Sequence, residues 1–356
     1  MQSSSRSAQA GHPAIRGDAI GTITDSSNSV VPGSPAAAGD DEQAPNGKSQ
    51  VSGVTLTGGS RRYFLASMAL LATIAGVPHR AAGETPLERG RYLVNTILAC
   101  GNCHTPKNAA GAAIAEKDLA GGLSFTTPPF DATAANITPD RETGIGAWQD
   151  EDIKRALTEG VRPPNAHLGG VPLAAVMPAG FYKALLPDDL DAIVAYLRSV
   201  KPVRNEVPAP VYKLPVHRDP YPDADAGFAP QALVDPVKRG AYLVTIGHCM
   251  ECHSAWARGV SDFKNGLGKG GRPFGAALVQ GFPSDWRGSI APNITSHPKS
   301  GIGSWSDAEI KRAITQGISR DGHALKPPMA FAWYAGLKEG DLDAIVAYLR
   351  TVPPLE

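Results

Sequence analysis

Leu190, Ile193, Val194 and Leu197 stand at i, i+3, i+4 and i+7, the apolar stripe of a helix buried along one face. The whole segment from Asp189 to Arg198 recurs without change from Asp341 to Arg350. A second amphipathic pattern, with Lys154 and Arg155 beside Ile153, Ala156 and Leu157, is followed at Ile310 by the same Ile-Lys-Arg-Ala string. Upstream, Arg89-Gly90-Arg91-Tyr92-Leu93-Val94 matches Arg239-Gly240-Ala241-Tyr242-Leu243-Val244. Asn136-Ile137-Thr138 followed by Gly144-Ile145-Gly146-Ala147-Trp148 matches Asn293-Ile294-Thr295 followed by Gly301-Ile302-Gly303-Ser304-Trp305. The chain is therefore a tandem duplication. Each half runs helix, cysteine pair, Gly/Pro-rich loop, N-I-T turn, helix, Pro-rich stretch and terminal helix. No alternating strand run is visible, so the expected fold is all-α, with two similar domains at 84–201 and 237–356. Residues 202–236 carry eight prolines and no helical period, and read as an extended interdomain linker.

Composition narrows the function classes. A 42% hydrophobic content excludes wholesale disorder, and 34 basic against 34 acidic residues give no sign of a nucleic-acid partner. Residues 1–58 are rich in Ser, Ala, Gly, Pro and Asp, and are expected to have no structure. Residues 59–83 read as an export signal: Ser60-Arg61-Arg62-Tyr63-Phe64-Leu65, an apolar run to Pro78, then Ala81-Ala82-Gly83. The run is shorter than a membrane-spanning helix needs, so cleavage and a periplasmic location are expected. Ser-Arg-Arg-x-Phe-Leu also resembles a twin-arginine signal, and the export route stays open. The signal begins some 58 residues in, with no Met between Met1 and Met68, which suggests a true start near Val51 or Val54.

All four cysteines fall in C-x-x-C-H strings, Cys100-Gly-Asn-Cys103-His104 and Cys249-Met-Glu-Cys252-His253. This is the attachment pattern of haem c. Two intervening residues let one helical turn present both sulfurs to one porphyrin edge, and the adjacent His becomes the proximal iron ligand. A thioredoxin-like redox pair would need a βαβ unit, and a four-Cys zinc site would not explain the two histidines. The expected cofactors are two haem c groups, covalently attached.

Of five methionines, Met1 is the start, Met68 lies in the signal and Met250 lies inside an attachment motif. Met177 and Met329 remain, one per half, each beside a proline and five residues before Tyr182 or Tyr334. Proline fixes the local backbone and lowers the entropy of holding a thioether against iron. Met177 and Met329 are thus the expected second axial ligands. The alternatives are methionines that only fill the core, and His167 and His323, which also recur in both halves. Trp148 and Trp305 either donate an indole N–H to a haem propionate or pack in the core. Asn136 and Asn293 read as turn formers. The second half has eight more residues between its motif histidine and its N-I-T turn than the first. That insertion, around Gln280 to Gly288, is a candidate for shielding a haem edge or docking a partner.

Together the C-x-x-C-H motifs, the N-I-T and G-I-G-x-W strings, the Met-containing Pro loop and the closing L-x-A-I-V-A-Y-L-R helix resemble the dihaem and multihaem cytochrome c subunits of bacterial periplasmic dehydrogenases, such as those serving alcohol or aldehyde dehydrogenases. The likeness covers residues 86–355. It implies two tandem cytochrome c-like domains, each wrapped round one covalent haem. It also implies an electron carrier that takes single electrons from a periplasmic or membrane-associated dehydrogenase. A terminal oxidase or another cytochrome would accept them. Compared with three-haem members the chain has only two motifs and, on this reading, no C-terminal anchor. The competing class is a dihaem enzyme, a peroxidase or a thiosulfate-oxidising cytochrome. Both need open or unusual iron coordination, and one Met per half with no spare Cys argues against them.

Overall fold

The computed structural model describes residues 83–356, apart from 219, 220, 223 and 258. The leading segment and all but the last residue of the expected export signal lie outside the described residues. In chain order the first half contains α1 (Pro86–Asn95), α2 (Cys100–His104), β1 (Ser124–Thr126), β2 (Phe130–Thr133), α3 (Asp150–Glu159), α4 (Ala179–Tyr182) and α5 (Pro187–Ser199). The connecting segment adds β3 (Val211–Tyr212). The second half contains α6 (Pro236–Ile246), α7 (Cys249–His253), β4 (Ala255–Ala257), β5 (Val260–Asp262), β6 (Pro273–Phe274), β7 (Val279–Gln280), β8 (Ser289–Ile290), α8 (Asp307–Gln316), α9 (Phe331–Tyr334) and α10 (Glu339–Leu349).

The helices follow the predicted repeat, but the expected all-α class does not hold. Short antiparallel strands form three small sheets, β3-β2-β1-β7, β4-β5 and β6-β8, and the fold is mixed α/β. Each strand is only two to four residues long. An alternating pattern needs four or more positions to show, so these strands are silent in the sequence.

Local chemistry sets the helix starts. At α1, Thr85 Oγ1 accepts from the Glu88 backbone N–H and Glu88 Oε2 accepts from that of Thr85, a reciprocal capping box, with Pro86 opening the first turn. Ser306 and Glu309 do the same for α8. In each half the first and last helices cross closely, α1 on α5 and α6 on α10. A Cβ at Gly90 would lie 1.9 Å from the Ala192 carbonyl oxygen, and one at Gly240 1.8 Å from that of Ala344. Gly90→Ala or Gly240→Ala must therefore push two backbones apart. A loss of about 3 kcal/mol, the upper end of overpacking costs, is expected in chemical denaturation.

The segment read as a linker is extended and bound to the first half. Val203 O accepts from Asn136 Nδ2 at 2.7 Å, Asn205 Nδ2 donates to Ala120 O at 2.7 Å, and β3 pairs with β2. Further on, the buried Tyr221 ring lies 4.5 Å from that of Phe181 and 5.3 Å from that of Phe263, joining both halves.

One apolar core runs through both halves, with Leu93, Val94 and Ile97 in the same cluster as Leu243, Val244 and Ile246. Duplication makes the contact between halves self-complementary, as in a two-fold dimer. Asp189 accepts from Arg89 Nε and Nη2 of its own half, both at 2.8 Å, and from Tyr242 Oη of the other half at 2.6 Å. Asp341 repeats this with Arg239 Nε at 2.6 Å and Tyr92 Oη at 2.6 Å.

Candidate functional site

Each C-x-x-C-H string forms a single helical turn, α2 or α7, entered through a left-handed residue, Ala99 at φ 46° or His248 at φ 42°. The two turns differ at their second position. Gly101 lies where a Cβ would come 2.8 Å from Trp333 Nε1, whereas Met250 turns wholly into the core. Met250, set aside as an iron ligand by its place inside the motif, packs in the main core.

The two motif histidines have equivalent partners. His104 Nδ1 is 2.7 Å from Ala135 O, and His253 Nδ1 is 2.8 Å from Pro292 O. A carbonyl only accepts, so Nδ1 carries the proton and Nε2 keeps its lone pair, the tautomer that a metal-ligating imidazole needs. Burial lowers both imidazole pKa values, and the carbonyl bonds oppose this. Both rings are thus neutral donors of the kind that holds haem iron.

The N-I-T strings hold these carbonyls in place. Asn136 Oδ1 accepts from Thr138 N and Oγ1 at 3.0 and 2.7 Å, while its Nδ2 reaches Val203 O. Asn293 Oδ1 accepts from Thr295 N and Oγ1 at 2.8 and 2.7 Å, and its Nδ2 donates to Leu355 O at 2.6 Å. Each turn is thereby closed directly after Ala135 or Pro292. The asparagines are turn formers, as expected. The two carbonyls escaped sequence reading because a backbone oxygen leaves no residue signature.

Trp148 and Trp305 are half-buried and pack against the core. Their carbonyls accept from Arg198 Nη2 and Arg350 Nη2, each at 2.5 Å, so the arginine ending each repeated helix clamps the G-I-G-x-W loop. That role could have been found from the repeated Arg.

Met177 and Met329 lie half-buried against the core, directly before α4 and α9. Their histidine rivals do not: His167 and His323 are exposed, and His323 Nδ1 sits 2.6 Å from Asp321 Oδ1. The Met329 loop is tied to its surroundings. Pro328 O accepts from Asn102 Nδ2 of the first motif at 2.9 Å, and Pro327 O accepts from Ser289 Oγ at 2.6 Å.

Burial pushes the thiols of Cys100, Cys249 and Cys252 up to about 12, and that of Cys103 to about 11. Burial thus favours the neutral thiol in the folded chain, which suits a covalent adduct made on the open chain better than thiol–disulfide exchange. Among the described residues no group of three or more His, Cys, Asp or Glu side chains is placed to hold a metal ion. Within the second motif, Glu251 lies 3.4 Å from Arg272 Nη1 and 3.1 Å from His248 Nδ1, the latter contact poorly aligned for a full hydrogen bond. Burial raises the Glu251 pKa, but His248 and Arg272 outweigh it and hold the carboxyl below its ordinary range.

Residues 237–353 match the cytochrome c family model. The cytochrome subunit of fructose dehydrogenase from Gluconobacter japonicus is 31% identical over 327 residues, covering 82% of this chain and 60% of that protein. The cytochrome c subunit of a quinone alcohol dehydrogenase from Gluconobacter oxydans is 32% identical over 304 residues, covering 81% and 59%. A dihaem c-type cytochrome from Cereibacter sphaeroides is 29% identical over 320 residues, covering 85% and 99%. The chain thus spans about three fifths of the length of the first two.

Proposed function

We propose, from the premise that this chain carries a cytochrome c domain at residues 237–353 and is similar to dihaem c-type cytochromes, that it is a dihaem electron carrier rather than an enzyme. It takes single electrons from a partner dehydrogenase and hands them to a terminal oxidase or another cytochrome. The cytochrome c domain carries covalently bound haem c. The first half, which repeats its motif, turn and terminal helix, holds the second group.

One observation supports this most: two neutral imidazoles, each with Nδ1–H given to the carbonyl just before an N-I-T turn. In our reading Cys100 and Cys103, and Cys249 and Cys252, form the thioethers. His104 with Met177, and His253 with Met329, are the axial pairs, and Trp148 and Trp305 wall the two sites. Bound haem supplies one-electron chemistry between ferrous and ferric iron. The chain fixes imidazole orientation through the two carbonyls, excludes water with the shared core, and keeps both axial positions filled. We further propose a periplasmic location; among the described residues no helix is long and apolar enough to cross a membrane.

Mass spectrometry of the exported protein should show two added haems. The oxidised protein should absorb weakly near the red edge of the visible spectrum, the signature of iron bound to a methionine sulfur. Met177→Ala and Met329→Ala should each remove about half of that band, since each takes one of two such bonds. Absence of the band from the unmodified protein would return the position to histidine, and a band unchanged in both variants would assign it to another methionine. A dehydrogenase subunit lacking its own cytochrome, given substrate, should reduce both haems by one electron each. Peroxide consumption, or carbon monoxide binding without prior denaturation, would instead favour the dihaem enzyme.

A further inference from the structure

The extra residues of the second half do not stay within it. We propose that residues 279–288 form a cap, supplied by the second half, over the Cys103 edge of the first half's haem, making the two haem sites unequal. This rests on the attachment reading above.

β7 leaves its own half to pair with β1, Gln280 opposite Ser124 and Val279 opposite Phe125, and Thr126 N–H donates to Leu278 O at 2.8 Å. Leu123, Val279 and Trp286 form a buried cluster separate from the main core, and Cys103, Phe125 and Phe282 pack against it. The Phe282 and Trp286 rings are 4.9 Å apart. Lys107, three residues after the first motif, lies with Nζ 5.3 Å from the Phe282 ring. The approach is close enough to demand glycine on both sides. A Cβ at Gly281, whose φ is 103°, would lie 2.6 Å from Leu123 Cδ2, and one at Gly111 would lie 2.7 Å from the Pro283 ring.

Trp286 is 8% exposed, and its indole N–H is buried without a hydrogen-bond partner. Such an orphan donor is destabilising, so the residue is poorly chosen for stability alone. What the indole provides is a broad apolar wall beside Cys103. Charge stands near both attachment sites, with Lys107 and Glu251 acting on Cys103 and Arg272 and Glu251 on Cys252, so what sets the first site apart is the apolar cluster. Near Cys252 stand Glu251 and Arg272, whose guanidinium stacks 4.3 Å from the Trp256 ring. The first half has eight fewer residues in the matching stretch and sends no such cap across.

An apolar wall that excludes water disfavours the more highly charged oxidised iron, so the cap raises the potential of the first haem. It also bars external reductants from the Cys103 edge, leaving the second haem as the one they meet.

Potentiometric titration of the two-haem protein tests this. Trp286→Ala, alone or with Phe282→Ala, should lower one of the two potentials and leave the other in place. It should also speed reduction of that haem by dithionite severalfold. Trp286→Phe keeps the wall and loses the N–H, so it should behave as the parent. The Trp286→Ala shift should vanish when Cys100→Ala and Cys103→Ala remove the first haem. Unchanged potentials in a folded Trp286→Ala, Phe282→Ala protein holding both haems would overturn the cap. A Trp286→Phe shift as large as that of Trp286→Ala would also overturn it, because the N–H would then be the active element. A protein whose mass shows no haem at Cys100 and Cys103 would instead defeat the attachment reading on which the cap rests.

Discussion

Asp189→Ala is expected to cost about 3–5 kcal/mol of stability, the range for removing one partner of a buried ion pair. Asp189 is 5% exposed and accepts three hydrogen bonds, two from Arg89 and one from Tyr242. The Arg89 side chain is only 16% exposed, so without the carboxylate its charge stays largely buried and unmatched. The duplicate pair gives an internal comparison. Asp341 is as deeply buried, but Arg239 is 34% exposed and can recover water when its partner is lost. Asp341→Ala should therefore cost less than Asp189→Ala, even though the two aspartates occupy identical sequence. Tyr242→Phe, which removes one bond to Asp189 and leaves the ion pair, should cost only about 1 kcal/mol. Since each aspartate binds both halves, denaturation monitored by circular dichroism should remain a single transition. Equal losses for the two aspartates, or a loss under about 1 kcal/mol at Asp189, would show that burial is not what gives the pair its weight.

Those aspartates also mark the limit of pattern reading. In the repeated helix the apolar stripe correctly placed Ile193, Val194 and Leu197 in the core. Asp189 lies outside that stripe and is buried all the same, and nothing in a single helix reveals a tyrosine arriving from the other half. Features whose geometry is local were legible: the C-x-x-C-H strings, each a single helical turn, the N-I-T turns and the duplication itself. Features made by backbone atoms or by contact between halves were not. Ala135 and Pro292 act through carbonyls, and the two-residue strand β7 becomes a strand only by borrowing β1 as its neighbour. The insertion around Gln280 to Gly288 was visible as length. That it packs beside Cys103 of the other half is a property of the fold.

On the proposed attachment and ligand assignments, two second-half variants should separate attachment from ligation. Cys249→Ala with Cys252→Ala removes both thioether sulfurs while keeping the His253 imidazole and its bond to Pro292 O. The exported chain should then weigh less by one haem, and its reduced-haem absorption should fall by about half, one site of two. His253→Ala keeps the thioethers, so two haems should remain by mass. The iron of the second haem would lose its nitrogen ligand, and about half of the low-spin signal in electron paramagnetic resonance should disappear. Matching changes at Cys100, Cys103 and His104 should give the same pair of results, because the imidazole and its carbonyl partner are built alike in both halves. Two haems by mass in the Cys249→Ala, Cys252→Ala protein would break the link between the motif and attachment. An unaltered low-spin signal in His253→Ala would break the link between this imidazole and iron. The two failures are independent, since the sulfurs lie on the helical turn while the ring is aimed by a carbonyl in a loop 39 residues downstream.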